Sequence, residues 1–308
     1  MRRRALLAGL AAVLVLCAFA GAAETRGKVI AFVPKTLNNP FFVAVRDSIM
    51  AEAGKHGFDI RVNAPDLETE VDKQISIIET FIEQGVDAII AIPCSGTAIV
   101  DTVKMSDAKG IPVFLVDTGA DECPYVSFVG TNNYNGGKLA ADWIGKNVKG
   151  DVAILDGFSG NDATTQRYKG FMEQIRNYPE VKVVASEYGN CEMSKGMEVA
   201  ENFLVAYPRL RGIFAVTDMM AIGAGQACIA AGRRDEIKIL GFDGQPDAAI
   251  NILDGTIDAT IAQKPATMGR LIVDQIVKHM NGEKVERVID TGCDIADETV
   301  AEKYKTWQ

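Results

Sequence analysis

Six polar or charged side chains fall just after strand-like runs or at the starts of helical stretches: Lys35, Asn39, Asp117, Arg167, Asp243 and Gln263. A carboxylate accepts two hydrogen bonds from neighbouring hydroxyls, and such charged bonds are stronger than neutral ones. Arg167 opens a helical stretch, where a cation opposes the helix dipole, so its place calls for another reason. Gln263 offers an amide directly after a strand. The formal charges of the set cancel, Lys35 and Arg167 against Asp117 and Asp243. Donors and acceptors with no net charge suit a neutral polyhydroxyl guest better than a phosphate or an acid, with an acidic ligand on Lys35 as the second reading. Phe41 and Phe42 follow Pro40 at a helix start, where only one ring is expected to face the core. The other is free to cover the apolar C–H face of a sugar ring. Plainer roles stand beside these: Asn39 ahead of Pro40 is a helix N-cap, and each aspartate can close a turn. Replacing Asp117 or Asp243 by alanine is expected to abolish binding and to spare the fold.

Other chemistry finds little support. Two histidines leave scant material for a metal site or a histidine relay. No GxGxxG follows the first strand, so no nicotinamide cofactor is expected, and Gly223-Ala224-Gly225 lies inside a helical stretch. No CxxC pair occurs, which leaves zinc and thiol–disulfide exchange without a motif. A formal charge of −9 argues against a nucleic-acid partner. A DNA-binding regulator would need a helix-turn-helix ahead of the first strand. The reading is therefore a binding protein, not an enzyme, with neither cofactor nor metal.

The elements that must place these residues alternate almost without interruption. Strand-like runs are Val29–Val33, Ile60–Asn63, Ala88–Ile92, Val113–Val116, Val126–Val129, Val152–Leu155, Val181–Ser186, Gly212–Val216, Ile237–Gly241 and Ala259–Ala262. Several are apolar at consecutive positions, as in parallel strands covered on both faces. Between them lie helical stripes such as Val71, Ile75, Ile78 and Ile82. Such alternation predicts right-handed βαβ units in doubly wound α/β sheets. About ten strands and nine helices are too many for one sheet and fit two. The chain is expected to pass between the sheets at Tyr125–Asn133, Gln263-Lys264-Pro265 and Asp290–Cys293. That gives one lobe from 24–130 plus 264–291 and another from 131–263 plus 292–308. Ligands of such sheets sit beyond the carboxyl ends of the strands.

Arg2-Arg3-Arg4, the apolar run Ala5–Ala20 and the small residues Ala20-Gly21-Ala22-Ala23 have the three parts of a secretory signal peptide. Cleavage near Ala22 or Ala23 would remove residues 1–23, take the formal charge from −9 to −12 and place the mature chain in the periplasm. Five cysteines would remain. Cys94 and Cys123 follow strands expected to be neighbours, so a disulfide and separate thiols both stay open.

Thr36-Leu37-Asn38-Asn39-Pro40-Phe41-Phe42, Gly241-Phe242-Asp243-Gly244 with Pro246-Asp247, and Ala259-Thr260-Ile261-Ala262-Gln263 resemble the ribose-binding branch of the periplasmic sugar-binding proteins. These are substrate-binding components of ABC transporters, and the resemblance covers the mature chain in order. It implies a type I periplasmic binding fold: two flavodoxin-like domains, a three-segment hinge and one monosaccharide enclosed between them. It also implies a membrane permease with its cytoplasmic ATPase as partner, a monomeric chain, and in some relatives delivery to a chemoreceptor. Asn39, Phe41, Phe42, Asp117, Arg167, Asp243 and Gln263 match sugar-contacting positions of that family. Lys35 stands where ribose binders have serine, Thr118 where they have arginine, and Thr217 at a ligand-contacting asparagine. Cys191 falls near a stacking phenylalanine of the second domain. These departures keep the class, a sugar, polyol or cyclitol binder, and turn the expectation away from ribose. The stretch Ile30–Lys35 also looks like the autoinducer-2-binding relatives, in which a lysine touches the ligand.

Overall fold

The computed structural model describes residues 27–307, so the export signal read at residues 1–23 lies outside the described residues. All ten expected strands form, with ends shifted by a few residues. They are β1 (Val29–Val33), β2 (Asp59–Val62), β3 (Ala88–Ala91), β4 (Val113–Val116), β5 (Ser127–Gly130), β6 (Gly150–Asp156), β7 (Val181–Tyr188), β8 (Leu210–Ala215), β9 (Lys238–Asp243) and β10 (Ala259–Ala262). Two further short strands, β11 (Val288–Asp290) and β12 (Asp294–Asp297), flank the third expected passage. Each carries aspartate at an end and too few apolar residues to signal a strand.

Two six-stranded sheets result, and their orders correspond position by position. The first runs β11-β5-β4-β3-β1-β2 and the second β12-β10-β9-β8-β6-β7. The strand pairs are parallel except β10 with β12, which is antiparallel. The chain therefore changes sheet three times, after β5, after β10 and between β11 and β12.

Side chains alternate across each strand, so every strand feeds two layers. On β1, Ile30 and Phe32 face one core while Ala31 and Val33 face another. Phe114 and Val116 of β4 follow the first, and Val113 and Leu115 the second. The first layer is closed by α1 (Pro40–His56) and α9 (Pro265–Met280). The other lies under α2 (Val71–Gln84) and α3 (Val100–Ala108). Around the second sheet stand α4 (Asn133–Asn147), α5 (Asp162–Gln174), α6 (Met193–Ala206), α7 (Asp218–Ala230) and α8 (Pro246–Leu253). A 3₁₀ turn at Ala301–Tyr304 packs on this second lobe. The chain then returns to the first, where Trp307 meets Phe41 edge-on with ring centroids 5.8 Å apart. All five cysteines of the described residues are free thiols, Cys94 and Cys123 included.

The helices of the second lobe approach through glycine. A Cβ on Gly137 of α4 would stand 2.1 Å from the Arg167 carbonyl oxygen of α5, and one on Gly170 of α5 would stand 2.0 Å from the Tyr134 carbonyl oxygen of α4. Gly223 plays the same part between α7 and α6, with Met193 O 2.2 Å from its would-be Cβ. In the Gly223-Ala224-Gly225 run, Gly223 is thus a helix-packing residue and Gly225 packs on the Thr256 backbone beyond α8. Because α5 carries Arg167, the α4–α5 spacing is also a spacing within the site. Gly137→Ala should cost about 1–3 kcal/mol through overpacking, read as a lower melting temperature. Gly54→Ala on α1, where a Cβ would meet nothing within 4 Å, should leave stability unchanged or raise it slightly. Equal melting temperatures for Gly137→Ala and the parent would show that the helices have room to spare.

Candidate functional site

The carboxyl ends of the two sheets face each other, and the loops there enclose a small polar cavity. Equivalent strands contribute equivalent residues: Asp117 directly follows β4, and Asp243 ends β9. Both have positive φ, 64° and 130°. At Asp117 the turn is closed by Thr118 N donating to Val116 O at 2.7 Å, a γ-turn. The remaining non-glycine residues with positive φ among the described residues are Asn190 and Cys191, also at the cleft. Strained backbone is thus concentrated around this cavity, as at sites whose geometry the surrounding structure holds fixed.

Arg167 is the most heavily constrained side chain. Its Nε donates to Asn133 Oδ1 at 2.8 Å, and its Nη1 donates to Val216 O at 2.7 Å and to Asp243 Oδ1 at 2.9 Å. The guanidinium lies 3.8 Å from the centre of the Phe242 ring. The arginine and aspartate side chains are only 3% and 6% exposed. Asp243 also accepts from Gln263 Nε2 at 2.9 Å. Removing one member of such a pair strands the other charge, at a cost of about 3–5 kcal/mol. Truncating Asp243 is therefore expected to lower stability as well as binding, where the sequence expectation was a spared fold. Asp117 has a lighter structural duty, accepting at 2.8 Å from its neighbour Thr118 Oγ1.

Eight of the ten residues singled out from the sequence line the cavity: Lys35, Asn39, Phe41, Phe42, Asp117, Arg167, Thr217 and Asp243. Thr118 and Gln263 stand behind it, each holding one of the two aspartates. Asn39 does cap α1, accepting from Phe41 N at 3.0 Å. Phe41 and Phe42 are both buried, at an interplanar angle of 85°, where the sequence pattern assigned only one to the interior. Both rings pack into the first lobe's own core between α1 and α9 as well as lining the cavity, so neither is left exposed. Thr217 Oγ1 and Gln263 Oε1 are buried without a hydrogen-bond partner among the described residues, which leaves acceptor capacity at the site.

Three polar lining residues, Glu68, Asn161 and Thr164, escaped the sequence reading. Glu68, in the loop after β2, accepts from Asn39 Nδ2 at 3.2 Å and lies 3.9 Å from Lys35 Nζ. Asn161, the N-cap of α5, accepts from Lys35 Nζ at 3.2 Å across the lobe boundary. Gln245 Nε2 makes a second crossing bond, to Asn39 Oδ1 at 3.2 Å. The strand-end rule applied to β2 and β6 would have flagged the first two.

Glu68 alters the electrostatics. Two cations now face three carboxylates, so the balanced set read from the sequence becomes net negative when all are ionised. Burial pushes the Glu68 carboxyl up to about 7, with the Lys35 ammonium and the Asn39 amide opposing. Burial also raises Asp243, against the pull of Arg167, and raises Asp218 on α7, with the neighbouring Asp243 charge adding to it. The Cys191 thiol is driven well above its usual range by burial, which leaves it inert as a nucleophile.

Carboxyls with raised pKa keep protons in the folded chain that the unfolded chain releases. Their contribution is full below the ordinary carboxylate range and declines as pH rises to about 7. Lowered surface carboxyls such as Asp87 act below that range. The melting temperature should therefore fall between pH 5 and pH 7.5, and Glu68→Gln should flatten part of that slope. A slope identical in Glu68→Gln would show that Glu68 does not titrate in this window.

A family model described as a periplasmic binding protein domain matches residues 30–284. The chain is 36% identical over 258 residues to a ribose import binding protein of Bacillus subtilis (strain 168), covering 82% of each chain. It is 33% identical over 282 residues to the ribose import binding protein of Escherichia coli (strain K12), covering 91% of this chain and 94% of that one. Among solved structures, an ABC transporter periplasmic solute-binding protein of Actinobacillus succinogenes with bound D-allose superposes with a TM-score of 0.84 at 31% identity, covering 90% and 100% of the two chains. A solute-binding protein of Agrobacterium vitis with bound D-fucose gives 0.86 at 30% identity, covering 91% and 100%. These relatives bind and transport sugars and are not enzymes. With paired sheets in the same order and a polar cavity at their facing ends, the chain belongs to the periplasmic binding protein family, as a ribose-binding-like sugar-binding protein.

Proposed function

We propose that this chain is the periplasmic solute-binding protein of an ABC importer, enclosing a neutral monosaccharide, or a related polyol or cyclitol, and delivering it to a membrane permease. The observation that carries this is the pairing of Asp117 and Asp243 from equivalent strand ends, facing one cavity with two buried aromatic rings. Carboxylates fixed before the guest arrives accept hydrogen bonds from its hydroxyls without reorganisation, while Phe41 and Phe42 cover an apolar ring face. Relatives hold single-ring guests, D-allose and D-fucose among them and, in a Bacillus halodurans protein 28% identical to this chain, myo-inositol.

In this reading the lobes are 24–130 plus 264–291 and 131–263 plus 292–308, hinged at the three passages between the sheets. A guest touching both lobes stabilises the closed form and no other. Lys35–Asn161 and Asn39–Gln245 add direct lobe-to-lobe bonds to that form. Residues 1–23 would direct export to the periplasm. Among the described residues no helix is long and apolar enough to cross a membrane. An acidic sugar on Lys35 is disfavoured, because Glu68 already answers that charge.

A thermal-shift panel of neutral aldoses, polyols, cyclitols and uronic acids tests the proposal. At a hundredfold excess over Kd a true ligand adds about 2.7 kcal/mol of stability. At least one neutral compound should do so, and the uronic acids should not; silence across the whole panel would end the proposal. Asp117→Asn is the cleaner site variant, since asparagine tolerates positive φ. Loss of a charged acceptor should weaken binding roughly tenfold to a hundredfold, with the melting temperature of the free protein little changed. Undiminished affinity would mean that Asp117 does not touch the guest.

A further inference from the structure

The inner cavity does not end at its own wall. Asn39, Glu68 and Cys191 also border a larger hollow on the outer side, again lined by both lobes. There the chemistry of the walls changes. The inner cavity presents charges and aromatic rings, whereas the outer hollow adds Leu67, Met193, Met197 and Met219 to a polar margin that includes Asp66 and Glu192. Leu67 is 46% exposed, an apolar side chain held at the rim where a polar one would meet water at no cost. Between the two spaces stands Cys191, a small side chain at positive φ whose thiol is no nucleophile.

We infer that the guest is a sugar carrying an apolar substituent, a glycoside, with its sugar ring in the inner cavity and its aglycone in the methionine-lined hollow. This rests on the sugar-binding reading and extends it. An unsubstituted monosaccharide directs hydroxyls outward on every side, and the part of the wall formed by the three thioethers and Leu67 offers those hydroxyls little hydrogen bonding. An alkyl or aryl group finds there the surface it prefers. Three flexible, polarisable methionines can adapt to aglycones of differing shape. The inner cavity is much the smaller of the two, and the residues that both spaces share, Asn39, Glu68 and Cys191, mark the side on which a substituent would leave it.

The test is calorimetric titration of the whole protein with neutral aldopentoses and aldohexoses, each as the free sugar and as its α- and β-n-butyl glycosides. For the sugar that binds, at least one butyl glycoside should bind as tightly as the free sugar or more tightly. If both bind more weakly, the inference is wrong while the sugar-binding reading stands; if neither free sugars nor glycosides bind, the inference falls together with the monosaccharide form of that reading. Met197→Glu places a charge in the hollow and should lower glycoside affinity at least tenfold, leaving the free sugar unchanged. Leu67→Asp, on an exposed loop, serves the same purpose should Met197→Glu fail to fold. Equal losses for sugar and glycoside, or no loss for either, would show that the hollow does not hold the aglycone.

Discussion

One buried ion pair organises the second half of the molecule. Arg167 and Asp243 are almost wholly removed from water, and such a pair is tolerable only when its remaining donors and acceptors are met. Asn133 from the start of α4, Val216 beyond β8, Gln263 beyond β10 and the Phe242 face supply them. Five segments are thereby pinned to one point. The glycine contacts between α4 and α5 belong to the same device, because they set the depth from which the arginine reaches across. What remains for a guest is a charge pair already oriented, with no reorganisation left to pay for.

The first half meets it with a different solution. Asp117 has no arginine partner and is fixed by its own backbone, a γ-turn at positive φ closed by Thr118. The two aspartates occupy matching strand ends in matching sheets, one held by a salt bridge and the other by a strained turn. Lys35 and Glu68 form a second charge pair on this side, looser at 3.9 Å and tied to the other lobe through Asn161. The tight pair reads as scaffold and the loose one as the part that can adjust on closure.

Much of this was legible in the chain because parallel strands covered on both faces are apolar at every position. Val113–Val116 or Ala88–Ala91 cannot be mistaken for a surface segment, and the residue after such a run is at a sheet edge by construction. That is why eight of the named residues meet in one cavity. β11 and β12 were missed because three or four residues with an aspartate at the end carry no such pattern. Glu68 was missed for another reason. It sits between Asp66 and Glu70 in a loop that reads as solvated, and its partners, Lys35 and Asn39, lie some thirty residues back in the chain. Asn161 and Gln245 acquire their partners from farther still, across the lobe boundary. Contacts between distant segments have no local signature, so the charge balance drawn from the strand ends alone omitted one carboxylate.

The chain has two indoles, and they occupy contrasting places. Trp143 is packed inside the second lobe, 8% exposed, with neighbours that do not change when the lobes move as rigid bodies. Trp307 is carried beside that same lobe by the Ala301–Tyr304 turn yet rests on Phe41, a ring of the cavity wall in the first. Any widening of the cleft must part this ring contact or drag the tail with it. The molecule thus contains its own optical reporter and its own internal reference, without an added dye.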